Sequence, residues 1–163
     1  MIKPLDKDQQ IAIVWPDDPA FDRDHRLEDG TSSIVTYRRE AGRDPAAWRR
    51  MLKTLPDQQA TEFVVGVIPP AELAQIEDEC GGINGPAKHL ELQWRCFAAS
   101  LRDIRNGPTR DGAVPKERVG GVERVERRWL SDVFCRGLRD CAIWVGGVAW
   151  SWNKLSEDDL KNC

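Results

Sequence analysis

Hydrophobic and polar positions alternate in the first half of the chain in a way that predicts three strands. The segment IAIVW, residues 11–15, places its apolar side chains at period two and ends at Pro16, which has no N–H to donate to a sheet. The segment SIVTYRR, residues 33–39, is rich in β-branched and aromatic residues and predicts a second strand. The apolar run FVVGVI, residues 63–68, predicts a third strand that is covered on both faces.

Two short helices are predicted between and after these strands. In DPAAWRRMLKTL, residues 44–55, Asp44 is a suitable N-cap and Pro45 suits the first turn. The apolar residues of this helix share one face, and they are Trp48, Met51, Leu52 and Leu55. The segment PPAELAQIEDECGG, residues 69–82, predicts a helix that begins with proline, turns Leu73 and Ile76 inward and stops at its two glycines.

The second half predicts two long helices with apolar residues every three or four positions. The first carries the stripe Leu90, Trp94, Phe97, Leu101 and Ile104, and Asn106–Gly107–Pro108 ends it. The second begins between Val122 and Glu126 and continues through the tryptophan-rich residues to Leu155. The pattern therefore predicts an α+β fold, in which a small N-terminal mixed sheet of about three strands with two short helices packs against two long C-terminal helices.

We assign residues 1–82 to the α+β part and residues 83–163 to the helical part, with residues 108–125 as a loop or a hairpin arm. The segment KERVGGVERV places charged and apolar residues symmetrically about two glycines, which is typical of a β-hairpin. The alternative is a loose loop from which the last helix starts at Val122.

The segment CAIWVGGVAWSW, residues 141–152, is too short for a membrane span, which needs roughly 20 apolar residues. Its apolar positions continue the helical stripe, so we interpret it as the buried side of a helix. Two adjacent glycines, Gly146 and Gly147, cost about 1 kcal/mol each in helix propensity and indicate close approach of another backbone or a large ring, with a kink in the helix as the alternative. Trp150 lies off the stripe, so we expect it to pack on the N-terminal sheet or to face another subunit.

Composition removes several classes of function. The chain has 163 residues and a net charge of −3, from 24 basic and 27 acidic residues, so charge alone does not call for nucleic acid. Its N-terminus has no apolar segment of signal-peptide length, and five cysteines without a CxxC pair favour reduced thiols. We therefore expect a cytoplasmic protein that is not secreted and has no transmembrane segment.

Residues with catalytic or metal-binding chemistry are present, but their spacing predicts no site. His25 and His89 are isolated from each other, and Cys135 and Cys141 lie on or near the apolar stripe, as expected of core cysteines. Asp17, Asp18, Asp22 and Asp24 offer oxygen ligands to a cation, yet they lack EF-hand spacing and are typical of an acidic surface loop. We predict no catalytic residue, no metal ligand and no cofactor.

The residues that we predict to contact a partner lie in three places. The basic segment between residues 110 and 128 alternates with glutamates and lacks aromatic residues, which favours protein contacts over nucleic acid. The Asp-rich loop and the off-stripe tryptophan are the other two places. The predicted contact residues are Arg110, Lys116, Arg118, Arg124, Arg127, Asp17, Asp22 and Trp150.

Two segments resemble parts of small morphogenesis and virion proteins of tailed bacteriophages. One is the C-terminal WNKLSEDDLKNC, residues 152–163, with a tryptophan-bearing helix, a polar turn capped by Ser156 and an acidic tail. The other is the strand–helix step EFVVGVIPPAELAQIEDE, residues 62–79. The resemblance implies a tail assembly, neck or capsid-associated protein without catalytic residues, whose partners are other phage structural proteins and itself. It also implies a location in the virion or in the bacterial host cytoplasm.

The function expected from the sequence is therefore that of a non-enzymatic structural or assembly protein of a phage particle. Two alternatives remain open at this point. One is a small metal-assisted enzyme built from scattered carboxylates, and the other is a regulatory protein that binds nucleic acid through its basic arm.

Overall fold

The computed structural model describes residues 6–81, 86–135 and 137–161, with the backbone alone for residue 86 and residues 155–161. The fold is α+β, as the sequence predicts. Its elements in chain order are β1 (Gln10–Val14), α1 (Ser33–Glu40), α2 (Pro45–Arg49), β2 (Glu62–Gly66), α3 (Pro70–Glu79), α4 (Pro86–Ser100), β3 (Leu101–Arg105), β4 (Lys116–Val119), β5 (Val122–Val125), α5 (Arg127–Phe134) and α6 (Arg139–Lys161).

Three antiparallel strands form the main sheet in the order β1-β2-β3, and β4 and β5 form a separate two-stranded sheet. Phe63, Val64 and Val65 of the central strand β2 are all buried. Because successive side chains of a strand point to opposite faces, both faces of β2 are covered, which confirms the prediction for its apolar run.

The helix α4 belongs to two hydrophobic clusters. In the larger cluster the ring of Phe97 contacts Phe63 of the sheet and Phe134 of α5, with centroid distances of 6.0 and 5.3 Å. In the smaller cluster Leu92 and Cys96 pack with residues of α3. Aromatic pairs of this kind contribute roughly 0.5–1.5 kcal/mol beyond the area they bury. Sheet, α3 and α5 are therefore joined through one helix.

The tryptophan-rich segment forms the buried side of α6, which confirms the interpretation made from its spacing. The buried residues recur at helical intervals and belong to the larger cluster, and they are Cys141, Ala142, Val145, Val148, Ala149 and Trp152. Within the described residues, no helix combines the length and the apolarity needed to cross a membrane.

Gly146 marks the place where α6 and α4 touch backbone to backbone. A Cβ atom at Gly146 would overlap the main-chain carbonyl oxygen of Gln93 and lie 2.8 Å from its carbonyl carbon. At Gly147 the nearest atom is instead the side-chain Nε2 of Gln93, at 2.7 Å. The predicted close approach of another backbone is therefore confirmed for Gly146, whereas Gly147 faces a side chain that can move.

Tyr37 closes the free edge of β1 at its last residue. The hydroxyl of Tyr37 donates a hydrogen bond to the main-chain oxygen of Val14 at 3.1 Å and accepts one from the main-chain N–H of Val14 at 3.2 Å. The ring is fully buried, and burial raises the pKa of Tyr37 to about 12. An edge strand that could pair with another chain is thus blocked here by a side chain.

The predicted strand at residues 33–39 is wrong, because the segment forms the helix α1. Ser32 caps this helix by accepting a hydrogen bond from the main-chain N–H of Val35. The buried residues follow helical spacing, and they are Ser33, Ile34, Thr36 and Tyr37. Strand preference of β-branched residues is weak and depends on context, and here the burial of one helix face prevails.

The helix predicted over residues 44–55 is much shorter than expected. Asp44 is the N-cap, as predicted, and accepts a hydrogen bond from the main-chain N–H of Ala47, but α2 ends at Arg49. Met51 and Leu55 are exposed, so the predicted apolar face does not extend to them.

The first long helix was predicted to run through Ile104, but α4 ends at Ser100 and β3 follows without a loop. A bulge in β3 explains the misleading pattern. Phe63 pairs with Ile104 and Val65 pairs with Leu101, so β3 holds one residue more than β2 between the pairs. The extra residue keeps Leu101 and Ile104 on one face of the strand at a spacing of three, which is normally helical.

The last helix was predicted as one element, but the chain forms a hairpin and two helices there. Of the two alternatives left open, the hairpin is confirmed, since β4 and β5 pair from Lys116↔Val125 to Val119↔Val122. Gly120 and Gly121 both have positive φ, at 57° and 78°, as the tight turn of such a hairpin requires.

The break between α5 and α6 also changes the place of one cysteine. Cys135 is the C-cap of α5 and is exposed, contrary to the prediction of a core position, whereas Cys141 is buried as predicted. The polar turn predicted at Ser156 is wrong as well, because α6 continues through this residue to Lys161. The side chain of Leu155, and the whole of Gly82 and Cys163, lie outside the described residues.

Replacing Gly146 by alanine should destabilise the protein by about 2–3 kcal/mol, because the new methyl group forces α4 and α6 apart. Gly147→Ala is the matched control, since it gains the same helix propensity of about 1 kcal/mol and displaces only the end of a flexible side chain. Urea unfolding of both variants measures the difference. Equal stability of the two variants would contradict the close contact.

The pKa of Tyr37 gives a prediction at alkaline pH. Because its folded pKa of about 12 exceeds the ordinary tyrosine pKa of 10.0, the native state binds more protons than the unfolded state between these values. The contribution of this group to the free energy of unfolding is therefore fully present below about pH 10. It falls by about 1.4 kcal/mol per pH unit as the pH rises towards 12. Tyr37 is the single tyrosine of the chain, so tyrosinate absorbance reports on it alone. A midpoint near 10 in the folded protein would disprove the buried hydroxyl, and denatured protein serves as the reference.

Candidate partner-binding surface

The basic segment predicted to contact a partner lies on the β4–β5 hairpin and its flanks. β4 is the outward strand, on which Arg118 and Val119 are exposed, the latter to 43%. β5 is the inward strand, on which Val125 is buried in the larger cluster. The hairpin therefore presents Arg118 and Val119 of β4 to solvent and buries Val125 of β5 in the body of the protein.

Arg124 anchors the hairpin, contrary to the expectation that it contacts a partner. Its guanidinium forms a bidentate ion pair with the carboxylate of Glu72 on α3, in which Nη1 lies 2.7 Å from Oε1. Arg124 is only 5% exposed. Removing one partner of such a pair leaves an uncompensated buried charge, so the pair fixes the hairpin against α3.

Two more of the predicted contact residues are held by carboxylates of the protein itself. Arg110 pairs with Glu126 at 3.1 Å, and Lys116 pairs with Asp103 of β3 at the same distance. The ammonium of Lys116 also donates a hydrogen bond to the main-chain oxygen of Arg102. The bonds of Lys116 close the base of the hairpin onto β3, and the pair of Arg110 ties the preceding loop to the residue after β5, so the two residues hold the hairpin in place as well as forming part of its surface.

Arg118 and Arg127 differ from the other cations of the predicted set, which form ion pairs within the protein. Arg118 lies opposite Glu123 in the hairpin register, and Arg127 begins α5, where its main-chain N–H donates to the carboxylate of Glu117. For both residues no side-chain ion pair is found within 4.0 Å in the described part of the chain. Their guanidinium groups are therefore available to a partner, together with the exposed side chain of Val119.

The Asp-rich loop uses its carboxylates within the protein. Asp17 pairs with Arg38 of α1 at 2.5 Å. Asp18 is buried and accepts hydrogen bonds from the main-chain N–H groups of Ala20 and Thr61, both at 2.9 Å. Asp22 accepts one from the main-chain N–H of Asp24. Among the described residues, no group of three or more histidine, cysteine or carboxylate side chains is arranged to hold a metal ion.

Trp150 lies against α3 and α4 rather than on the sheet. It is half-buried and packs against the smaller hydrophobic cluster, and its ring meets that of His89 edge to face at 6.3 Å. Both residues line a shallow cleft of about 300 Å³ with Trp144, Gln93 and the basic end of α1. The indole N–H of Trp150 and Nδ1 of His89 are buried without a hydrogen-bond partner in the described residues.

Two of the buried cysteine thiols, those of Cys96 and Cys141, lie where burial disfavours the thiolate. Burial raises the pKa of Cys141 to about 12, and burial raises that of Cys96 to about 12 as well. A thiolate is the nucleophilic form, so neither residue is activated.

Sequence reasoning missed Arg102, which is the extra residue of the bulge in β3. It is 8% exposed, and its guanidinium donates to the main-chain oxygens of Ala99 and Val67, both at 2.8 Å. Burial and the neighbouring Arg124 lower the pKa of Arg102 to about 10, while Glu72 acts in the opposite direction. The sequence does not reveal Arg102, because its segment has the spacing of a helix and no pattern in SLRDIRN marks one arginine as buried.

Comparison of the chain with known protein families, curated proteins and solved structures finds no match. The described geometry offers a firmly attached hairpin with an exposed strand, a shallow aromatic cleft and a buried arginine beside the hairpin tip. Each of these features is suited to binding. The predicted contact residues that are exposed lie on the hairpin and its flanks.

Proposed function

We propose that this protein is a non-enzymatic assembly protein of a tailed phage particle, which acts through protein–protein contacts made by the β4–β5 hairpin. The observation that carries the proposal is the contrast between the two strands of the hairpin. β5 is tied to the body by Arg124 and Val125, whereas β4 exposes Arg118 and Val119.

A preformed hairpin lowers the entropic cost of binding, because its backbone and attachment are already ordered before the partner arrives. An exposed apolar residue beside an arginine is also a suitable centre for a small interface, since arginine is enriched among the residues that dominate binding. Val119 and Arg118 provide this pair on adjacent positions of one strand.

The phage setting rests on the resemblance of two segments. For residues 62–79 the structure has the expected order, in which the strand β2 precedes the helix α3 and Pro70 opens that helix. For the C-terminal segment the helix is present without the turn at Ser156. Support for the setting therefore comes mainly from the first segment.

Charge reversal on β4 tests the proposal. The double variant Arg118→Glu with Val119→Asp should lose association with phage particles or their assembly intermediates by at least about tenfold, equivalent to about 1.4 kcal/mol. Co-sedimentation of the protein during particle assembly measures this loss. Both side chains are exposed, so the melting temperature should stay within a few degrees of that of the original protein.

Arg50→Glu with Met51→Asp is the matched control, because Arg50 and Met51 are also an adjacent, exposed arginine and apolar residue, located after α2. The control should co-sediment like the original protein. The proposal fails if the original protein does not associate with particle proteins, or if the β4 variant associates as well as the control.

A further inference from the structure

Arg102 is a buried guanidinium without a carboxylate of its own. A guanidinium has five N–H groups, and two of those on Arg102 donate to the main-chain oxygens of Ala99 and Val67. The other three have no acceptor among the described residues, and no carboxylate lies within 4.0 Å there. Glu72 is the nearby acidic group that favours the charge on Arg102, but its two oxygens are already bound by Arg124.

The backbone around Arg102 is shaped to accommodate this side chain. Arg102 is the extra residue of the β3 bulge, and bulges re-aim side chains next to binding sites. The guanidinium crosses β2 at Gly66, where a Cβ atom would lie 2.7 Å from Nε. The side chain of Arg102 needs both the bulge in β3 and the glycine in β2, so the surrounding backbone is specific to this side chain.

Beside Arg102 lies a cleft of about 410 Å³, between the hairpin tip and the start of β1. Its charged groups are Arg102, Lys7, Asp8 and Glu123, and Gly120 and Gly121 form part of its wall. Lys7 and Glu123 are exposed, so they can be changed without disturbing the core.

We propose that this cleft binds a carboxylate through the unused N–H groups of Arg102, with Lys7 as a second cation. Guanidinium and carboxylate match in a planar, two-point geometry. Asp8 and Glu123 offset the charges of Arg102 and Lys7, so the cleft has no net positive charge that would favour a phosphate dianion over a carboxylate. The carboxylate is either an acidic side chain in a peptide segment or a free chain terminus. This proposal does not depend on the assembly role proposed above.

Short peptides of glycine and serine test the ligand chemistry. One carries a central glutamate between blocked ends, its counterpart carries glutamine, and a third has a free C-terminal carboxylate without acidic side chains. We expect saturable shifts of the Gly66, Gly120 and Gly121 amide signals in NMR spectra with the glutamate peptide or the free-terminus peptide, and the responding peptide identifies the source of the carboxylate. The glutamine peptide should cause no shift.

The proposal is overturned if neither carboxylate peptide shifts these glycine signals. It is also overturned if inorganic phosphate binds more tightly than both, because the cleft has no net positive charge that would favour a dianion. The protein alone is sufficient for these measurements, so their outcome is separate from the association with phage particles.

Two variants of the cleft are expected to change the affinity for the peptide in opposite directions. Lys7→Glu should weaken binding of the responding peptide roughly threefold to tenfold, and Glu123→Gln should strengthen it roughly threefold, at low salt. Lys53→Glu is the control, because Lys53 is an exposed lysine that does not line the cleft and undergoes the same charge change. Equal effects of the two lysine variants would contradict the site.

Arg102→Lys tests the buried group directly. The lysine keeps the positive charge but lacks the planar pair of donors, so binding should fall at least about tenfold while circular dichroism stays unchanged. If this variant does not fold, the proposal is decided by whether Lys7→Glu and Glu123→Gln change the peptide affinity in opposite directions. Unchanged affinity of a folded Arg102→Lys protein would overturn the proposal.

Discussion

The backbone contact between α4 and α6 at Gly146 determines how the rest of the molecule is placed. Because no side chain separates the two helices there, the carbonyl of Gln93 approaches α6 to a distance that any Cβ would prevent. α4 then passes directly into β3 at Ser100 and Leu101, with no loop to absorb a change of position. A shift of α4 would therefore move β3, the third strand of the sheet.

The position of β3 in turn fixes the features that we connect with binding. Its bulge sends Arg102 across Gly66 towards the hairpin tip, and Lys116 ties the hairpin back to β3. Arg124 attaches the other strand of the hairpin to α3. Val125 is the one described residue of the hairpin in the larger hydrophobic cluster, so the ion pair of Arg124 and the bonds of Lys116 add polar contacts to a small apolar attachment.

The sequence predicts the fold class, the central strand β2, the helix α3 and the core helix α6, because their apolar periods are regular and their ends carry proline or glycine signals. It mispredicts α1, since the residue types of 33–39 favour a strand while their burial follows a helix. It also mispredicts β3, because the bulge gives Leu101 and Ile104 a helical spacing. Local patterns do not contain the long-range pairing that creates a bulge, and for this reason Arg102 could not be found from the sequence.

The candidate surface was predictable in location but not in the role of each residue. The hairpin signal KERVGGVERV is local, whereas the ion pair of Arg124 with Glu72 joins residues 52 positions apart and becomes visible only in three dimensions. Native-state amide hydrogen exchange tests the central claim that α4, α6, β3 and the hairpin form one cooperative unit. The account predicts that amides of α4, α6, β3 and β5 exchange with one common opening free energy. A β5 that opens several kcal/mol more easily than α4 would contradict it.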